Sequence, residues 1–219
     1  MSPTGATGFP LVLAAPSGAG KTTLARALVV RDDRVVFALS ATTRPPRPGE
    51  KDGVHYRFVD EAGFDRLERD GELLEWATVH DYRYGTLKRG VESALASGHI
   101  VVLDIDVQGA RRIRALFRGA VLVFILPPSA DELERRLRGR AGESPRDTAV
   151  RLRTALQELG SAAEFDYIVI NDDLESTIGV LEGILEAERH RTGRKAGLHV
   201  HTAEMIGRLR HMIEEKSAT

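Results

Sequence analysis

The chain has 219 residues, a net charge of −1 and no cysteine. That length supports one substantial core with small insertions. The near-neutral charge points away from a polyanionic partner, and the missing thiols exclude disulfides and thiolate metal centres. No apolar run reaches the roughly 20 residues of a membrane-spanning helix, and residues 1–8 lack the basic-then-apolar layout of an export signal, so a soluble, cytoplasmic protein is expected.

The first apolar run, Leu11–Ala14, leads into Ala15-Pro16-Ser17-Gly18-Ala19-Gly20-Lys21-Thr22-Thr23 and the helical pattern Thr22–Val30. Strand, glycine-rich turn, Lys-Thr and helix together form the context of a phosphate-binding loop. Glycines let backbone N–H groups curl around phosphate oxygens, and the helix points its partly positive N-terminus at the same anion. Lys21 would reach the β- and γ-phosphates, and Thr22 would offer its hydroxyl to Mg²⁺. One position departs from G-x-x-x-x-G-K-[ST]: Ala15 stands where the pattern begins with Gly.

Further apolar runs fall at Val35–Leu39, Ile100–Leu103, Val121–Leu126 and Tyr167–Ile170. Near-continuous apolarity predicts strands buried on both faces, as in a parallel sheet. Helical patterns lie at Lys88–Ala96, Ala110–Leu116, Ala130–Leu137, Asp147–Ala163 and Leu174–Arg191. Alternation of strand and helix predicts an α/β layered domain with right-handed crossovers. Two stretches break it. Residues 41–90 are rich in Arg, Gly, Pro and Tyr and predict a separate lobe; residues 138–146 are polar, basic and glycine-containing and predict a mobile lid. The tail, 196–219, contains a modest amphipathic pattern at Ala203–Glu214.

Asp104 ends a predicted strand and Asp106 follows two residues later. A carboxylate at the C-terminal end of a parallel strand faces the ligand crevice, where in a phosphate-loop protein it helps hold Mg²⁺ or its waters. The same residues also suit the cap of the helix that opens at Gln108-Gly109-Ala110. Arg44 and Arg47 stand three apart in the proline-stiffened turn Arg44-Pro45-Pro46-Arg47-Pro48-Gly49-Glu50. Two guanidinium groups so placed can converge on one phosphate, although composition alone reads the turn as a solvated basic loop.

Taken in order, the motifs are specific. The phosphate loop is followed by Ser40-Ala41-Thr42-Thr43-Arg44-Pro45-Pro46-Arg47-Pro48-Gly49-Glu50, then Leu74-Glu75-Trp76-Ala77, Tyr84-Gly85-Thr86, Leu103-Asp104-Ile105-Asp106, Arg136-Leu137-Arg138-Gly139-Arg140 and Asn171-Asp172-Asp173. Over roughly residues 9–190 this series resembles guanylate kinase. The resemblance implies a phosphate-loop kinase domain over 9–195: a five-stranded parallel sheet flanked by helices (9–40, 91–137 and 147–191), an inserted mixed α+β GMP-binding lobe at 41–90 and a small helical lid at 138–146. It implies transfer of the γ-phosphoryl group of ATP to GMP, and to dGMP, with Mg²⁺ held by Thr22 and, through water, Asp104. It also implies that Arg44, Arg47, Tyr56 and Tyr84 hold the GMP phosphate while Ser40, Glu75, Thr86 and Asp106 face guanine. Residues 15–23 would bind ATP, with Asn171 near the adenine. Lys21, Arg44, Arg136, Arg140 and Arg151 would carry the transferring charge.

The physics agrees with that assignment. Guanine offers N1–H and an exocyclic amine to one carboxylate, and adenine offers no such pair on that edge, so a buried Glu75 would discriminate strongly. A GMP phosphate oxygen is already largely ionised near neutrality, since such a second pKa lies at about 6. Positioning and charge neutralisation, rather than a general base, are then the catalytic task. Arg83 replaces a tyrosine the family often carries and is expected to be solvated. His55 and His80 lack clustered ligands, and metal binding is not expected there. Two rival functions remain: a phosphate-loop kinase for another phosphorylated acceptor, such as a ribose bisphosphate, and a binding module for phosphorylated peptides.

Overall fold

The computed structural model describes residues 7–79, 81–138, 145–194 and 198–217. Its strands are β1 (Phe9–Ala14), β2 (Val35–Phe37), β3 (Ser40–Thr42), β4 (Arg57–Phe58), β5 (Leu73–Val79), β6 (Tyr82–Leu87), β7 (Ile100–Asp104), β8 (Val121–Leu126) and β9 (Tyr167–Ile170). Its helices are α1 (Lys21–Arg31), α2 (Glu61–Arg69), α3 (Lys88–Ala96), α4 (Val107–Leu116), α5 (Ala130–Arg138), α6 (Pro145–Gly160), α7 (Leu174–Arg189) and α8 (Leu198–Ser217).

Five strands form a parallel sheet in the order β2-β7-β1-β8-β9. Alternate side chains of each strand leave by opposite faces, and both faces are covered. Leu11 and Leu13 of β1 join Leu24 and Leu28 of α1 and Ile178 and Leu181 of α7. Val12 joins Val91 of α3 and Ala110 and Ile113 of α4 on the other face. This is why the inner strands β7, β1 and β8 read as unbroken apolar runs; the edge strands β2 and β9, expected to be buried on both faces, leave Phe37, Ile168 and Ile170 exposed because no described strand pairs beyond them. Complete burial of each such aliphatic chain contributes about 1.5–3 kcal/mol before entropy is counted. The result is the α/β layered architecture expected from the alternation.

The smaller sheet, β4-β3-β6-β5, lies between Ser40 and Leu87. Ala41, Phe64 and Leu67 form its core, with Leu73, Trp76 and Leu87 packed around them. Helix α2 had no counterpart among the predicted elements. It starts where the Asp60 carboxylate accepts the Gly63 N–H, a local cap that compensates a short helix.

Several ends differ from the predicted ones for local reasons. The second strand stops at Phe37 rather than Leu39, because from Ser40 onward the chain pairs with β6 in the other sheet. Helix α4 starts at Val107, not Ala110, because Asp106 caps it by accepting the Gly109 N–H. The single helix expected over 147–163 is α6 followed by a separate 3₁₀ turn at Ala162–Glu164. The tail helix extends well beyond its predicted span, and its described side chains are exposed. No described helix is long and apolar enough to cross a membrane.

Candidate active site

Strands β1 and β7 are neighbours, with Leu13 opposite Asp104, so the turn after β1 and the carboxylate ending β7 share one crevice. The turn needs its glycines. Gly18 and Gly20 adopt φ of 91° and 90°, a region L side chains rarely enter. Ala15 is not among the residues with positive φ; its methyl is buried against the sheet core. A glycine is therefore dispensable at that place. Gly20 caps α1 without any side-chain hydrogen bond, and no acidic residue occupies the first turn. The N–H groups there stay directed at the crevice, as an anion site requires.

Lys21 lies across the mouth of this loop. Its Nζ donates to Ile105 O at 2.7 Å and stands 3.0 Å from Asp104 Oδ1. Thr22 Oγ1 donates to the other oxygen of Asp104 at 2.5 Å. Hydroxyl and carboxylate are hard oxygen donors, the chemistry Mg²⁺ takes alongside water and phosphate. Asn171, buried after β9, donates to Ala19 O at 2.7 Å and fills the space a side chain at position 20 would need. The structure thus places Asn171 as a buttress of the loop. Arg136 reaches the same corner: Nε meets Glu132 at 2.6 Å, and its Cβ approaches within 3.6 Å of where Gly18 would carry one. Glu132, hydrogen-bonded to both Arg135 and Arg136, has its carboxyl held down at about 2. Arg151, buried on α6, donates to Ser17 Oγ at 3.2 Å. Arg140 and most of the lid expected at 138–146 lie outside the described residues, as does His80.

The smaller sheet supplies a second group of side chains. Glu75 on β5 is buried; its Oε1 accepts the Thr86 N–H at 3.2 Å and the Thr86 hydroxyl at 2.5 Å. Ser40 is the register partner of Thr86. The other Glu75 oxygen lies 2.9 Å from where Gly109 would carry a Cβ, so the carboxylate passes closely over the start of α4 beside Asp106. Burial pushes the Glu75 carboxyl above its ordinary range, opposed by the Thr86 donors and assisted by the charge of Asp106. Two carboxylates therefore converge where this sheet faces the phosphate loop. Asp106 serves both readings of its position, since its Oδ1 caps α4 while its charge acts on Glu75.

Arg44, Tyr56 and Tyr84 form a third group. The Arg44 guanidinium lies 5.5 Å from the Tyr56 ring centroid, and the Tyr56 and Tyr84 rings meet edge-on at 6.0 Å. Glu50 accepts from Arg44 Nη2 at 2.8 and 2.9 Å and from the Arg47 N–H at 2.7 Å. Bonded in this way, Glu50 keeps its carboxyl below the usual range. Burial raises the Tyr56 phenol, with Asp104 and Tyr84 adding to the effect. Arg47 itself is exposed, unlike Arg44.

Arg83 departs from the expectation of a solvated side chain. It lies 4.2 Å from the Phe64 ring centroid and 5.0 Å from that of Trp76, and bonds Asp65 at 2.5 Å with Glu61 and Glu68 beside it. The cation ties α2 to the sheet and points away from the phosphate groups' expected place. Sequence reasoning assigned no role to Glu50, Arg112 or Glu158. Glu50 follows Arg44 by six residues in a stiff turn, a charge-pair signal that was available. Arg112 donates to Trp76 O, which only the tertiary fold brings near. Glu158 is seven residues after Arg151, hence on the same helix face.

A family model described as guanylate kinase matches residues 7–188. The chain is 50% identical over 199 residues to a guanylate kinase of Nitrobacter hamburgensis, covering 90% of this chain and 91% of that one. It is 48% identical over 204 residues to a guanylate kinase of Rhodospirillum rubrum, covering 93% and 92%. The crystal structure of guanylate kinase from Anaplasma phagocytophilum superposes with a TM-score of 0.76 at 35% identity, covering 90% of this chain and 95% of that one. With the phosphate loop, the paired carboxylates and the two-sheet framework already in place, these matches settle the lineage: the chain belongs to the guanylate kinase family.

Proposed function

We propose that the three groups described above bind ATP and GMP face to face and transfer the γ-phosphoryl group to a GMP phosphate oxygen, giving ADP and GDP. The observation that carries this reading is the convergence of Glu75 and Asp106 beside the crevice that holds Lys21 and Asp104. A guanine reader thereby opens onto a phosphate cradle.

Guanine would present N1–H and its amine to Glu75, with Thr86, Ser40 and Asp106 around the base. Arg44, Tyr56 and Tyr84 would take the GMP phosphate, joined by Arg47 as the exposed turn folds inward. Arg44 would exchange Glu50 for phosphate, and the same forked geometry serves both anions. The phosphate loop, Lys21, Arg136 and Arg151 would hold the ATP phosphates. In the reaction a GMP oxygen bonds the γ-phosphorus as the bond to the β–γ bridging oxygen breaks. The arginines and Lys21 neutralise the spreading charge and hold the two anions in line. Thr22 and Asp104 would hold Mg²⁺, which supplies further neutralisation of the phosphates when bound. dGMP, which carries the same base and phosphate as GMP, is proposed as a second acceptor.

The test is ADP production from MgATP with GMP, dGMP, AMP, a ribose bisphosphate or no acceptor, run in parallel. Release that depends on GMP is the expected result. Release with the sugar phosphate, or none despite GMP binding, would overturn it in favour of a different kinase or a binding module.

A further inference from the structure

The smaller sheet ends at β5, an edge strand. An edge strand offers carbonyls that no neighbouring strand takes. β5 is also irregular. Leu73 stands opposite Leu87 and Trp76 opposite Gly85, so Leu74 and Glu75 together face the single residue Thr86. Such a bulge twists a strand and re-aims the side chains at it. Glu75 is the side chain so placed: its Oε1 takes the Thr86 N–H and hydroxyl, and its Oε2 reaches over Gly109. The next carbonyl along the strand, Trp76 O, accepts from the Arg112 guanidinium of α4.

Asp106, Gly109 and Arg112 follow one another at intervals of three, so they lie along one side of α4. Asp106 caps the helix, Gly109 leaves room for a carboxylate, and Arg112 holds the strand that carries it. Thr86 fixes Oε1 from within the smaller sheet. Where Oε2 lies relative to Asp106 depends instead on how β5 sits against α4. Arg112 is exposed, and exposed contacts contribute little to global stability.

We propose that Arg112 is a positioning residue for guanine recognition: bonded to Trp76 O, it fastens the bulged edge of β5 to α4 and sets Glu75 Oε2 beside Asp106. The proposal rests on the reading of Glu75 as the acceptor of the guanine N1–H and amine. A carboxylate takes both donors well only when its two oxygens are aligned with the edge of the base, because hydrogen bonds weaken steeply with misalignment. A small slide of β5 would keep one of the two bonds and stretch the other. The Arg112 charge also favours an ionised Glu75, a smaller influence than the burial that raises its carboxyl.

Inosine monophosphate is the probe, because it keeps the phosphate, ribose and N1–H of GMP and lacks the amine. The quantity read is kcat/KM for GMP divided by kcat/KM for inosine monophosphate, measured on the full chain with MgATP. Arg112→Ala is expected to lower that ratio about fivefold, as weakening of one hydrogen bond to a charged acceptor does, with the KM for ATP and the Tm close to wild type. Arg112→Lys, which keeps a cationic donor, is expected to restore most of it. Damage to the lobe as a whole would weaken both acceptors alike and leave the ratio in place. Glu75→Gln runs beside these variants and is expected to lower the ratio further. A wild-type ratio in Arg112→Ala, with the ratio lowered in Glu75→Gln, overturns the proposal and leaves the reading of Glu75 standing. A wild-type ratio in Glu75→Gln overturns both. Equal loss in Arg112→Lys and Arg112→Ala also overturns the proposal, since it assigns the effect to packing rather than to the donor.

Discussion

At the scale of single residues, two side chains carry the most chemical weight. Lys21 follows the glycine turn directly and is held by Asp104 and Ile105 O. Lys21→Ala is expected to lower GMP-dependent kcat by roughly 10²–10³-fold, as loss of one preorganised charge donor does, with the circular dichroism spectrum unchanged. Glu75 sets a different balance. Burial pushes its carboxyl above the ordinary carboxylate range, so the folded protein keeps that proton to a higher pH than the unfolded chain. The consequence is a penalty on stability that is absent below the unfolded value, grows as pH rises through the folded value and is complete above it. Glu75→Gln removes it, and the ligand-free Tm at neutral pH is expected to rise by about 2–4 °C if about 1 kcal/mol is recovered. The same substitution is expected to raise the GMP KM and erode discrimination against AMP. A GMP KM and AMP ratio equal to wild type would remove Glu75 from guanine recognition. In wild type the GMP KM should rise as acid protonates Glu75; in Glu75→Gln that part of the pH profile should be flat.

At the scale of elements, the smaller sheet and α4 meet through a close approach. The space over Gly109 is taken by Glu75 Oε2 at 2.9 Å and by Ile105 Cβ at 3.2 Å. Gly109→Ala is expected to displace the Glu75 carboxylate and raise the GMP KM severalfold, with the KM for ATP little changed; equal shifts in both would indicate general damage instead. Arg83 on β6 fastens α2 to the sheet, packing over Phe64 of α2 and Trp76 of β5 with three carboxylates of α2 around it. Arg83→Ala is expected to cost about 1–2 kcal/mol, read as a lower midpoint in urea, because it removes a partly desolvated cation–π contact and its ion pairs together.

Across the whole molecule, the C-terminal segment divides in two. Arg194 is buried, stacks 3.8 Å from the Phe9 ring centroid, bonds Glu188 at 2.8 Å and offers its carbonyl to the Thr7 N–H. It fastens the end of α7 to the first strand. Helix α8 exposes its described side chains along its length and lies beyond the family match at 7–188. Truncation after Lys195 is therefore expected to leave Tm and GMP kinase turnover at wild-type values, whereas truncation after His190 should lower Tm by several degrees, since it removes a buried ion pair and leaves Glu188 without Arg194. Differential scanning calorimetry of the two truncations distinguishes these halves.

Local chemistry made much of this protein legible in the chain. The inner strands of the main sheet could be read because strands buried on both faces must be apolar throughout, as Val121–Leu126 is, whereas the edge strands β2 and β9 carry apolar runs that leave Phe37, Ile168 and Ile170 exposed. The phosphate loop could be read because only glycine suits positions 18 and 20, and Lys-Thr must follow. The ordered motifs marked the guanylate kinase lineage for the same reason: phosphate and guanine demand particular donors at particular spacings. Tertiary structure decided what depends on neighbours distant in sequence. It made Ala15 harmless through backbone conformation and core contact, turned Arg83 from a solvent-facing cation into a fastener of α2, and set Asn171 beneath Ala19. It also buried Glu75 beside Asp106. Burial and electrostatic environment are sums over elements brought together from across the chain, so residue spacing alone does not fix them.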